Sequence, residues 1–146
     1  MKVNRKALVP YSVEEMYPLI QDIEHYAEFL PWCSESVIIS ESVEAVVASL
    51  TISKGSLKKS FTTRNRGVEN QAVHMELVEG PFRSLTGCWR LEPLAENACK
   101  VFLDVEFEFS NKLVAVAFGP IFNTVVSSMV DAFLKRACAV YGEREL

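Results

Sequence analysis

The chain has 146 residues, 49% of them hydrophobic, with 19 acids against 15 Lys and Arg for a formal net charge of −4. That length suits one domain around a single core, and the acidic balance excludes a general nucleic-acid or DNA binder, which needs a basic surface. Charges interspersed through Met1–Pro10 exclude a signal-peptide core, and no uninterrupted apolar run reaches the roughly 18 residues of a membrane span, so the expectation is one cytoplasmic domain, 1–146, that keeps its N-terminus.

Lys2–Val9 reads as a first strand. Pro10-Tyr11-Ser12 makes a turn, and Ser12 with Glu15 three residues on has the pattern of a capping box at a helix start. That helix should run to about Ile23, its regularity limited by Pro18. A second helical piece over Glu24–Trp32 is stopped by Pro31. Strands are then predicted at about Ser36–Glu41, Ala45–Ser53, Leu57–Arg66, Ala72–Val78, Phe82–Leu91 and Lys100–Phe109. Turn residues separate them, among them Lys54-Gly55-Ser56, Arg66-Gly67 and Gly80-Pro81. The last strand is the clearest: Leu103, Val105, Phe107 and Phe109 alternate with Phe102, Asp104, Glu106 and Glu108, one face apolar and the other acidic.

Lys112–Tyr141 reads as one long amphipathic helix. Its apolar stripe is Phe118, Phe122, Val125, Met129, Phe133, Ala137 and Val140; Thr124, Ser127, Ser128, Asp131 and Lys135 form the polar stripe. Gly119-Pro120 should kink it or set off a leading turn. The order strand, two short helices, six strands, long helix predicts an α+β fold. A curved antiparallel sheet of about seven strands would wrap around the C-terminal helix, an architecture able to enclose an apolar pocket.

Four segments, in order and spread over nearly the whole chain, carry a family resemblance. They are Tyr26-Ala27-Glu28-Phe29-Leu30-Pro31-Trp32-Cys33; Leu77-Val78-Glu79-Gly80-Pro81-Phe82 with Gly87 and Trp89 beyond it; Phe107-Glu108-Phe109-Ser110-Asn111; and Phe118-Gly119-Pro120 leading to Met129-Val130-Asp131-Ala132-Phe133. The chain resembles the branch of the START superfamily that holds the mitochondrial coenzyme Q-binding proteins and the bacterial ribosome association toxins, RatA. The resemblance implies the helix-grip fold, an apolar cavity between sheet and long helix, and no established catalytic residues. It also implies two functional classes. One is a lipid-binding module that holds ubiquinone or a similar isoprenoid, needs no obligatory cofactor, supports respiration and can lie peripheral to the inner membrane. The other is a regulator that binds the large ribosomal subunit and blocks its association with the small one, with a small antitoxin-like protein as a further candidate partner. A polyketide cyclase-like enzyme of the same superfold is the alternative to both.

Candidate residues follow. Phe29, Pro31, Trp32, Phe82, Trp89, Phe107, Phe109, Phe118, Phe122, Met129 and Phe133 could line the cavity. The same side chains could equally fill a core, because a stripe facing a void and one facing neighbours read alike. Trp32 either gates the cavity mouth, touches a partner, or caps one end of the core with its indole N–H bonded to backbone. Between Ala7 and Ser53 there are eight acids and no Lys or Arg, whereas Lys54, Lys58, Lys59, Arg64 and Arg66 follow with no acid among them. This basic hairpin is the candidate for ribosomal phosphate or anionic lipid; the alternative is a solvated face set against acidic strands carrying Glu76 or Glu106. No metal site is expected: Cys33, Cys88, Cys99 and Cys138 lack C-x-x-C spacing, and there are two His. No catalytic residue is assigned, since His74–Glu76 and Asp104–Glu106 fall on the wet face and no nucleophile motif occurs.

Overall fold

Residues 1–146 are described by a computed structural model. In chain order the elements are β1 (Lys2–Val9), α1 (Val13–Gln21), a 3-10 turn (Ile23–His25), α2 (Tyr26–Phe29), β2 (Cys33–Glu41), β3 (Val46–Lys54), β4 (Leu57–Val68), β5 (Ala72–Glu79), β6 (Phe82–Ala95), β7 (Ala98–Phe109) and α3 (Lys112–Tyr141). Every element expected from the sequence is present. The main differences are at the ends: β2 starts at Cys33, three residues early, and β6 runs on to Ala95. Pro93 is tolerated there because it sits beside a register break, between Pro93 and Ala95.

The seven strands form one antiparallel sheet in the order β1-β7-β6-β5-β4-β3-β2. Strands β2 to β7 are a meander, as their short links require, and β1 returns to the far edge beside β7. Register breaks at Cys33/Glu35, Ile38/Ser40, Thr62/Thr63, Phe82/Ser84 and Pro93/Ala95 bend the strands, as bulges do. The inner face is apolar along β7, where Cys99, Val101, Leu103, Val105, Phe107 and Phe109 are all buried.

Helix α3 lies against this face over β1 and β7. Asn111 caps it, its Oδ1 accepting from the Val114 N–H at 2.9 Å. The helix runs unbroken through Pro120. The ring removes the hydrogen bond to the Val116 carbonyl, and residue 116 is exposed, so water can serve that carbonyl. The buried stripe is Phe118, Phe122, Val125, Val126, Val130, Phe133 and Ala137. Two members of the predicted stripe differ: Met129 is half-buried, and Val140 is exposed. Ser127 and Ser128 are half-buried, and Ser127 Oγ accepts from Arg5 on β1 at 3.0 Å. By length and composition alone α3 could cross a bilayer, a property it owes to Ala, Val and Phe on more than one face.

Helices α1 and α2 close one end. The expected capping box is formed: Ser12 Oγ accepts from the Glu15 N–H, and Glu15 Oε1 accepts from the Ser12 N–H. The end of α3 is tied to it, since Tyr141 Oη donates to the Glu15 carbonyl and Tyr11 Oη to the Gly142 carbonyl, both at 2.7 Å. Arg144 grips the Glu15 carboxylate with two bonds, 2.7 and 2.8 Å. Gly67 on β4 lets α1 come close: a Cβ there would lie 1.9 Å from Gln21 Nε2 and 2.1 Å from Tyr17 Oη.

Candidate functional site: an apolar cavity under the long helix

The helix covers β1 and β7 but not the β3–β5 side of the curved sheet, and a cavity of about 50 Å³ remains there. Its roof is Phe122, Val125, Val126 and Met129 of α3. Its floor is built from inward residues of the strands, with Leu50 on β3, Phe61, Thr63 and Asn65 on β4, Val73 and Met75 on β5, Leu85 and Trp89 on β6, and Leu103 and Val105 on β7. Ile23, Tyr26 and Trp32 close the end beneath the short helices. Register explains the hollow. Asn65, Met75, Gly87 and Val105 face one another across four strands. Gly87 has no side chain, and a Cβ there would come within 2.9 Å of Met75 Cγ, so the missing methyl is what lets Met75 lie across the floor.

Two aromatic groups flank the cavity. At one end Phe82, Phe107, Phe109 and Phe118 meet Phe61 and Phe122 in mostly edge-to-face contacts, with centroids 4.8–6.4 Å apart. At the other, Phe133 touches Tyr26, Phe29 and Trp89. Of the eleven side chains proposed from sequence, the structure brings Trp32, Trp89, Phe122 and Met129 to the cavity wall. It places Phe82, Phe107, Phe109, Phe118 and Phe133 behind the wall, and Phe29 and Pro31 in a surface groove on its far side. Sequence reading missed Tyr26, Thr63 and Asn65. Parity was the available signal: with Lys58, Arg64 and Arg66 outward, Phe61, Thr63 and Asn65 turn inward.

Trp32 separates the cavity from two surface grooves. It lines the cavity, the groove with Glu28, Phe29 and Arg136, and the groove with Lys54, Ile121 and Thr124. Its Nε1 is buried without a hydrogen-bond partner, so the capping bond to backbone considered from sequence is not made. The remaining polar groups are buried Thr63 and Asn65 and the Tyr26 hydroxyl, which donates to the Ile20 carbonyl. Burial pushes the tyrosine well above its usual range, so it stays neutral.

No nucleophile or ionisable base faces this space. Burial raises the Cys33 thiol to about 11 and the Cys99 thiol to about 11, leaving both as thiols at neutral pH. His74, Asp104 and Glu106 lie on the outer face of the sheet, where Asp104 accepts from Asn4 at 2.5 Å and Glu106 pairs with Lys2 at 4.0 Å. The basic residues do not gather on one surface. Lys58, Arg64 and Arg66 are exposed on the outer face, and Arg64 is already 3.5 Å from Glu76 on β5. Lys59 has the inward parity and is half-buried, and Lys54 belongs to the groove beside Ile121.

The family model for polyketide cyclases/dehydrases and lipid transport matches residues 9–134. The ribosome association toxin RatA of Vibrio cholerae is 49% identical over 142 residues, 97% of this chain and 99% of its own. The mitochondrial coenzyme Q-binding protein COQ10 homolog B of Xenopus laevis is 26% identical over 150 residues, covering 62% of its length. Among solved structures, one from Thermus thermophilus superposes with a TM-score of 0.83 over 95% of this chain and 98% of its own, at 16% identity. A Streptomyces aromatase/cyclase superposes with a TM-score of 0.71 over 97% of this chain and 88% of its own, also at 16%. At such identities the structures speak for the fold alone. With the helix-grip architecture in place and a match across nearly all its length, the chain belongs to the polyketide cyclase/dehydrase and lipid transport family, in the START-like branch that holds the RatA and coenzyme Q-binding proteins.

Proposed function

We propose that residues 1–146 form one START-like domain that acts on ribosomes in the cytoplasm as RatA-type proteins do, binding the large subunit and hindering its association with the small one. The observation that carries this reading is the 49% identity to V. cholerae RatA over almost the full length of both chains. The protein has no catalytic step of its own in this reading, and a small antitoxin-like protein would be its regulator. With a net charge of −4, the contact with ribosomal phosphate must be local, and Lys58 and Arg66 are the outward bases of the basic hairpin that make no ion pair. Cosedimentation with purified large subunits tests it. Binding should weaken steeply as salt rises, because each phosphate contact releases counterions. Reversing Lys58 and Arg66, which make no ion pair, to Glu should abolish it, with a stability change of about 0.5 kcal/mol at most. Failure of the unaltered protein to sediment with large subunits at low salt defeats the reading. Binding that survives both the reversal and raised salt moves the contact to the Phe29–Cys33 loop or the polar face of α3.

A second reading, compatible with the first, is favoured by the cavity. Of its 17 lining residues, 15 are hydrophobic, the character of a lipid site with few polar anchors. The bound molecule would be ubiquinone or a similar isoprenoid, linking the protein to respiration and to the inner-membrane surface. At about 50 Å³ the space is roughly a third of the ~150 Å³ cavity that accepts benzene, so entry requires Met75, Met129 and Trp32 to move. The two methionines are suited to that, being unbranched and adaptable. Extraction of lipid from protein purified from its own host, followed by mass spectrometry, tests this reading; protein carrying no quinone or other isoprenoid counts against it.

A further inference from the structure

We infer that Thr63 and Asn65 form a donor–acceptor pair in the cavity floor that selects a head group carrying a hydroxyl, so the reduced hydroquinone form of a quinone-like ligand is preferred to the oxidised form. The inference rests on the cavity-ligand reading and adds to it which oxidation state the site takes.

The two side chains stand two residues apart on β4, each 5% exposed, and both line the cavity. Asn65 Nδ2 donates to the Val46 carbonyl at 3.2 Å, the Thr63 carbonyl at 3.2 Å and Thr63 Oγ1 at 3.0 Å. Two of those partners are carbonyl oxygens, which only accept. The amide is therefore fixed in one orientation, since a flip would set Oδ1 against them. Oδ1 accepts from no group of the protein. The Thr63 hydroxyl is used as an acceptor by Asn65, so its own hydrogen is free to be donated. The floor thus offers one donor and one acceptor side by side, at a place where an unpaired polar group is costly.

A hydroxyl answers both at once, accepting from Thr63 and donating to Asn65 Oδ1. A quinone carbonyl accepts from Thr63 but has no hydrogen for Asn65, and it walls that oxygen off from water. Sites built to pair with a substrate hydroxyl discriminate strongly against analogues that lack it, for this reason. Trp32 Nε1 does not contribute to the choice. It is a donor, and either oxidation state offers oxygens to accept from it. Its backbone also lies away from the pair: Cys33, next to it, is in register with Ile52, whereas Thr63 is in register with Ala48 and Asn65 with Val46, four and six residues along β3, roughly 13 and 20 Å at the rise of a strand.

The experiment is an anaerobic titration of the intact protein, read by the fluorescence of the wall residues Trp32 and Trp89. The probes are a decyl-substituted benzoquinone, its hydroquinone, and the dimethyl ether of that hydroquinone, which can only accept. The hydroquinone should bind on the order of tenfold tighter than the other two. Asn65→Leu should bring the hydroquinone down to the level of the quinone. Thr63→Val leaves the Asn65 bonds to both carbonyls in place; it should weaken both forms and keep their ratio. Equal affinity for all three probes in the unaltered protein overturns the inference while leaving a cavity ligand standing. No response to any of them overturns the inference together with the cavity reading, and the floor pair is then served by water.

Discussion

Strands β7 and β4 belong to one sheet and both turn every second residue toward the helix, yet they do different work. The inner row of β7 is apolar throughout and sits directly under α3, which buries it almost completely. The inner row of β4 starts at Phe61, whose ring meets Phe122 of α3, and passes on to Thr63, Asn65 and Gly67. There the floor keeps a hollow and two polar side chains, and Gly67 beyond them makes room for α1. Burial alone does not distinguish the two rows, since Thr63 and Asn65 are as inaccessible as Val105. What differs is the balance of what each row presses on: in β7 Phe107 and Phe109 meet helix side chains and Leu103 and Val105 reach the cavity, whereas in β4 Phe61 meets the helix and both Thr63 and Asn65 face the partly filled cavity. Stability should therefore reside in the first row and recognition in the second.

The largest effect should come from β7. Phe107 is fully buried and touches Phe82, Phe109 and Phe122. Phe107→Ala should cost about 3–5 kcal/mol, the usual range for emptying a well-filled aromatic site, measured by urea unfolding. A loss under about 1 kcal/mol would mean that this end is loosely filled and would erase the contrast between the rows.

In β4 the same measurement should give smaller values. Asn65→Leu removes donors to two carbonyls and should cost about 1–3 kcal/mol. Thr63→Val, nearly the same shape, should stay within about 1 kcal/mol, because the hydrogen bond it loses is replaced by a buried methyl. If Thr63→Val were as damaging as Phe107→Ala, the floor pair would be a structural element and its role in ligand choice would lose its basis.

The contrast also accounts for what could be read from the sequence. Helix α3 and strand β7 were legible because their apolar residues fall at strict periods of 3.6 and 2 and nothing interrupts them. The family segments fixed the fold for the same stretches. The eleven cavity candidates favour conspicuous aromatics, and five of them, Phe82, Phe107, Phe109, Phe118 and Phe133, pack behind the cavity wall. Aromatic side chains of that size fill space well, so they gather where the helix touches the sheet rather than where it leaves a gap. The wall itself uses Thr63, Asn65 and Met75, with Gly87 making room for Met75, residues that look like wet-face or turn positions in a linear reading. Inward polar residues of β4 follow from parity only after the outward row of Lys58, Arg64 and Arg66 is assigned. The hollow at Gly87 needs the cross-strand register, which single-strand patterns do not contain. The basic hairpin was legible as composition but not as a surface, because Lys59 has the opposite parity and Arg64 meets Glu76 on the next strand.

The smallest expected effect lies outside both rows, in the latch that ties the chain end to the start of α1, and it tests whether pH reaches either of them. The Arg144 guanidinium, and after it the Ser12 N–H, hold the Glu15 carboxyl down from 4.5 to about 2. A carboxyl depressed in the folded state stabilises above its ordinary pKa and loses that contribution as pH falls through the folded value. The full contribution is therefore present above about pH 5 and gone below about 2. The Glu15 side chain is 23% exposed and Arg144 34%, so solvent screens the pair and its worth is about 1 kcal/mol. Glu15→Gln should lower stability by that amount at pH 7 and leave a flatter acid limb between pH 5 and pH 2, followed by urea midpoints across the range. No ionisable side chain faces the cavity apart from the neutral Tyr26, so neither row should add an acid-dependent term of its own. If the variant and the unaltered protein lose stability in parallel over that window, the latch contributes nothing.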